Sequence, residues 1–269
     1  MLYYSTFIFR SKLAWLCLGL LTIGVVSVPR CVYPQGVAVA DSKGMIPGSA
    51  NTPSSGDASS TVSIHELKIP AKARELFQQG AERLNAQDPR GSLPFFEKAI
   101  QKYPGYYEAY YNLGLAQSRL GRIQEAAKSF QSAIDTSGGK FPWAEFAYGL
   151  ILCEQGNIDD AERLVRTGLA QDQSVPEGYV ALGTVMLYRH KPDEAELSAR
   201  EALTRNPRFP QAYLILAEAH REQKDYSAEI QDLKTYITLE PREAKRDFAR
   251  DILNTAQRLV AETSYQAHQ

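Results

Sequence analysis

The residues of this chain best suited to chemistry are scattered. His65, His190, His220 and His268 each stand apart from any other His, Cys or acid at the short spacing that a metal site needs. Cys153 carries no sequence signature of a nucleophile and reads as a packed free thiol. Gly138-Gly139-Lys140 has the residue types of a phosphate-binding loop without its full spacing. Asp159-Asp160 could be a pair of acids for proton transfer, but its place before a helical pattern suits a helix N-terminus, where negative charge favours the dipole. No nucleophile elbow occurs. The expectation is therefore a chain with no catalytic residue, no metal and no cofactor, and so not an enzyme.

Charge excludes further classes. Lys plus Arg is 30 and Asp plus Glu is 31, a net charge of −1. Such a balance gives no reason to expect nucleic acid as a partner. Apolar residues make up 44 % and charged residues 23 % of 269, enough to bury a core of ordinary size. Three cysteines are too few for a disulfide framework.

What positions side chains in this chain is a repeat. Small residues recur at Gly80, Gly114, Gly149, Gly183 and Ala217, at spacings of 34, 35, 34 and 34. Twelve residues after each come Ser92, Ala126, Ala161, Ala195 and Glu229, and nineteen after come Ala99, Ala133, Gly168, Ala202 and Tyr236. Two helices joined by a turn explain this spacing, because small side chains let the pair approach closely. Tyr110, Leu113 and Phe130 are expected to fill the space beside them. Gly121 and Gly156 fall where the first helix of a pair should end, and glycine tolerates the left-handed backbone of such an end. Pro104, Pro207 and Pro241 should stop the second helix, since the residue before proline avoids helical geometry. One such hairpin cannot bury its apolar face alone, so neighbours must stack.

The segment Glu108-Ala-Tyr-Tyr-Asn-Leu-Gly114, followed by Gly121, Glu125-Ala126-Ala127, Phe130 and Ala133, resembles a tetratricopeptide repeat. Pro176 to Pro207 is similar. The resemblance runs from about 73 to 241 as five units: 73–106, 107–141, 142–175, 176–209 and 210–241. It implies an all-α fold, a right-handed α-solenoid of helix-turn-helix repeats. A helix over 242–262, with Ala244, Phe248, Ile252, Leu259 and Val260 at helical spacing, should cap its open end, leaving 263–269 as a disordered tail.

The resemblance also implies a function. First helices of the family line a concave groove that holds a protein or peptide partner. Carried over by position, the groove residues are Phe77, Tyr111, Asn112, Leu115, Trp143, Phe146, Leu150, Val180, Thr184, Tyr188 and Leu214. Tyr111, Trp143, Phe146 and Tyr188 are the candidate aromatic anchors, and Asn112 could bond a partner's backbone. Family members that grip a chaperone's terminal carboxylate use Lys, Asn and Arg. Phe77, Ala81, Trp143 and Ala147 stand where such clamp residues would be, which disfavours that ligand. An alternative role is structural, with the array docking through its convex face or ends into an envelope or secretion complex.

Two departures from the pattern carry expectations. Asp88 to Pro94 is a poor helix start, so the second helix of the first unit should begin late, near Pro94. Glu229 stands where alanine is usual; it should either contact His220 or be tilted into solvent.

The N-terminal region reads as an address. Arg10 and Lys12 precede an uncharged run of 16 residues, Leu13 to Val28, and Ala38-Val39-Ala40 offers a cleavage site. Cleavage there gives a periplasmic or secreted protein whose only thiol is Cys153, with no internal disulfide. The same run also fits an uncleaved anchor, although Arg30 just after it argues mildly against one. Residues 41–63, rich in Ser, Gly, Pro and Thr, read as a disordered tether, and 64–72 as a lead-in.

Overall fold

The computed structural model describes residues 64–266. The expected signal or anchor over 1–40, the tether over 41–63 and the last residues 267–269 lie outside the described residues. Twelve α-helices and no strand occur among those described: α1 (Ile64–Lys68), α2 (Ala71–Asn85), α3 (Pro89–Lys102), α4 (Tyr107–Arg119), α5 (Ile123–Ser137), α6 (Pro142–Glu154), α7 (Ile158–Gln171), α8 (Pro176–Tyr188), α9 (Pro192–Arg205), α10 (Pro210–Glu222), α11 (Tyr226–Leu239) and α12 (Glu243–Gln266). The architecture is an all-α repeat solenoid in class, built from consecutive helix pairs.

The described chain divides into two compact units, 64–148 and 149–266. In the first, α2 packs on α3, α3 on α4 and α4 on α5. In the second, α7 packs on α8, and α8 to α12 each pack on the next, while α8 also touches α10.

Local chemistry sets the helix ends. Second helices α3, α9 and α11 stop at Lys102, Arg205 and Leu239, each two residues before Pro104, Pro207 and Pro241. Prolines 176, 192 and 210 open α8, α9 and α10, where a missing N–H costs nothing. Gly121 and Gly156 have φ of 73° and 83° at the turn inside their hairpins. The same turn position holds Gln87, His190 and Lys224 in the other three hairpins, with φ of 61°, 57° and 64°. The left-handed step is therefore a property of the hairpin, and glycine only makes it cheap.

The small residues sit where helices nearly touch. A methyl group on Gly80 would lie 2.8 Å from the Phe96 ring, and one on Gly114 2.7 Å from the Phe130 ring. On Gly149 it would meet Val165 at 2.7 Å. The filling residue thus comes sixteen positions after the glycine. In the fourth hairpin that position is Ala199, too small to fill the space, and Ile215 of the next hairpin comes within 2.8 Å of the corresponding point on Gly183.

Two boundaries differ from expectation. The second helix of the first hairpin begins at Pro89 and not near Pro94, because Asp88 caps it, its Oδ1 accepting from the Gly91 N–H at 2.8 Å. The final helix continues to Gln266, so 263–266, expected in a tail, are helical.

Candidate protein-docking surface

None of the eleven groove-position residues is fully exposed. In the first unit, Phe77 is 2 % exposed, with its ring centre 5.0 Å from that of Tyr106 and 5.8 Å from that of Phe96. Tyr111 is buried between Phe130 and the edge-on ring of Phe141, with centres 5.7 and 5.3 Å away. Leu115 and Phe146 are buried. Asn112 is buried too, and its Nδ2 donates to the Glu108 carbonyl one turn back at 2.8 Å, so that amide hydrogen is spent within α4. Trp143 is half-buried, its ring 5.5 Å from that of Phe141.

In the second unit, Leu150 and Val180 are buried, and so is Thr184, whose hydroxyl donates to the Val180 carbonyl at 2.9 Å. Tyr188 is half-buried. Leu214 packs against a cluster of Ala217, Leu233 and Ile252. Trp143 and Tyr188 are thus the two expected anchors that are not fully buried, while Tyr111 and Phe146 are packed rings.

Several contacts were not legible in the sequence. The lead-in forms a short helix whose His65 stacks on Tyr107 at 4.3 Å, and His65 Nε2 lies 3.1 Å from an oxygen of Glu108. Burial raises the Glu108 carboxyl, and its own backbone and His65 pull it back. Arg119 of α4 donates to the Leu84 carbonyl at the end of α2 (2.9 Å), and Arg205 donates to the Gln173 carbonyl (2.8 Å). Each arginine ties one hairpin to the hairpin before it by donating to a carbonyl near a helix end; that of Leu84 also accepts from the Gln87 N–H at 3.2 Å.

Glu229 needs a correction. It does not contact His220, whose Nδ1 pairs instead with Asp232 at 2.7 Å, and it is not tilted into solvent, being 1 % exposed. Asp232 lies one turn further along α11, and it meets the imidazole there.

Cys153 is buried, and burial first, then Glu154, pushes its thiol up to about 12 despite Arg189 nearby. A thiol so placed is not a nucleophile at neutral pH. Among the described residues, no helix is long and apolar enough to cross a membrane.

Comparison with known proteins gives a consistent picture. A family model described as tetratricopeptide repeat matches residues 77–140 and 180–244, and a second of the same description matches 119–182. Together these span 77–244, more than half of the chain. An uncharacterized protein of Methanocaldococcus jannaschii is 39 % identical over 59 residues, 22 % of this chain and 69 % of that protein. A thermophilic TPR protein of Thermus thermophilus has a TM-score of 0.61 at 16 % identity, covering 69 % of this chain and 98 % of its own. Pseudomonas aeruginosa pilF gives 0.55 at 19 %, covering 74 % and 98 %, and yeast Tom70 gives 0.56 at 16 %, covering 71 % and 41 %. At these identities the likeness to solved structures is one of fold.

Proposed function

This chain belongs to the tetratricopeptide-repeat family, and from that premise we propose that it is an exported adaptor holding a protein or peptide partner on the face formed by its first helices. The fold is that of a protein–protein interaction scaffold. The observation that supports the finer reading is that each unit keeps one half-buried aromatic, Trp143 in the first and Tyr188 in the second, at groove positions whose other occupants are largely buried. Aromatics that stay only partly buried while their neighbours are packed can supply the large contact area that dominates binding energy once a partner covers them. No catalytic role is part of this reading. Export rests on the residues before 41 and is tested by the N-terminus of the protein recovered from cells: a start at Asp41 supports cleavage, and retention of residues 13–28 supports an anchor.

The partner face is tested in the full chain with a photoreactive residue at Trp143, at Tyr188, or at Leu197, which is 64 % exposed on a second helix. Capture of a protein from position 143 or from position 188, and not from 197, is the expected result. Capture from 197 alone would overturn the inner-face reading and move docking to the outer surface.

A further inference from the structure

At one position, twelve residues after the small residue of each first helix, four hairpins bury Ser92, Ala126, Ala161 and Ala195 completely. The fifth buries Glu229 there, 1 % exposed. Its first helix also carries Ala217 where the other four carry glycine, so bulk is added at both close-approach points of one hairpin. The carboxylate is poorly served. Oε1 lies 3.8 Å from Nε of Arg221, beyond hydrogen-bond reach, and Oε2 has no hydrogen-bond partner. Arg221 itself is paired with Glu218. Glu240 at the end of the same helix shows the contrast. It is equally buried, yet it accepts from the Tyr236 hydroxyl at 3.1 Å, from the Arg242 backbone at 3.1 Å and from the Arg242 guanidinium at 2.8 Å.

We propose that Glu229 makes the last hairpin and the C-terminal helix a proton-sensitive end of the array, closed while its carboxyl holds a proton and locally opened when that proton is lost. An ionised carboxylate with one unmatched oxygen cannot stay dry, so α10 and α11 must part enough to admit water. One turn along α11 lies Leu233, which with Ala217 and Ile252 forms the apolar cluster that seats α12. Water reaching Glu229 therefore reaches the seat of the terminal helix.

The surrounding charges fit this behaviour. From α10 come Glu218, His220, Arg221 and Glu222; from α11 itself, Asp232 and Tyr226; from α9, Glu196 and Arg200. On α12, Arg246 and Arg250 are paired with Glu243 and Asp247. Burial pushes the Glu229 carboxyl up to about 7, and Arg221 and then His220 only partly offset it. The folded state therefore holds this proton more tightly than the unfolded chain does. The stability it contributes is full below the ordinary glutamate value of 4.5, falls as pH rises, and is lost above about 7.

Hydrogen exchange of the full chain, corrected for the chemical rate at each pH, reads this directly. Between pH 6 and pH 8, peptides within 210–260 should lose about tenfold in protection while peptides within 107–137 hold theirs. Glu229→Gln should abolish the pH response, and Glu229→Ala, which restores the residue type of three of the other four hairpins, should do the same should the glutamine fail to fit. His220→Asn should keep it. A response that persists in both Glu229 variants, that is absent from the wild type, or that vanishes in His220→Asn would overturn the proposal.

Discussion

Gly114 and Gly121 stand seven residues apart and are glycine for different reasons. At Gly114 the reason is space: a methyl group would press on the Phe130 ring at 2.7 Å, and that ring is fully buried. At Gly121 the space is open, with nothing within 4 Å, and the reason is a φ of 73°. The two substitutions to alanine should therefore fail differently. Gly114→Ala should cost about 1 to 3 kcal/mol through overpacking. Gly121→Ala should cost about 1 kcal/mol through backbone strain alone. Urea denaturation of both variants checks the values. A second substitution, Phe130→Leu, separates the causes, since it should recover part of the loss for Gly114→Ala and none for Gly121→Ala.

The element that recurs is the hairpin, and its left-handed turn is where the five copies differ in local fitness. Lys224 adopts φ of 64° in the last hairpin without glycine's freedom. Lys224→Gly should stabilise that hairpin by up to about 1 kcal/mol, read as slower exchange within 210–239. An unchanged or faster rate there would show that the turn is not strained. The second helices carry the complementary lesson. Asp88 rescues a helix start containing Pro89, Gly91 and Pro94, because one side-chain cap outweighs poor interior propensity when the apolar face of Leu93 and Phe96 has a helix to pack on.

Over the whole molecule, each hairpin gains its stability from its neighbours, so damage should stay local. Ile252 is 6 % exposed in the cluster that seats α12. Ile252→Ala should cost about 2 to 4 kcal/mol at that end. Hydrogen exchange should quicken across α10 to α12 and stay unchanged across α2 to α5, whereas a uniform loss of protection would mean that the chain opens as one cooperative body. The same logic governs docking. A repeat array offers a long surface and few special residues, which is why the chemistry of isolated side chains said so little about function here.

The amino-acid order by itself determined the period, the helical class, the points of closest helix approach, and the helix ends at Gly121, Gly156, Pro104, Pro207 and Pro241. These depend on side-chain size and backbone freedom, which a residue carries wherever it is. Only the tertiary structure decided that Tyr111 and Phe146 are packed rings while Trp143 and Tyr188 are only partly buried. It alone seated His65 on Tyr107 and Glu108 and gave His220 to Asp232, and it buried Glu229 without a full set of partners. Burial and pairing belong to two segments at once, and the distance between those segments is set by packing that no local rule contains.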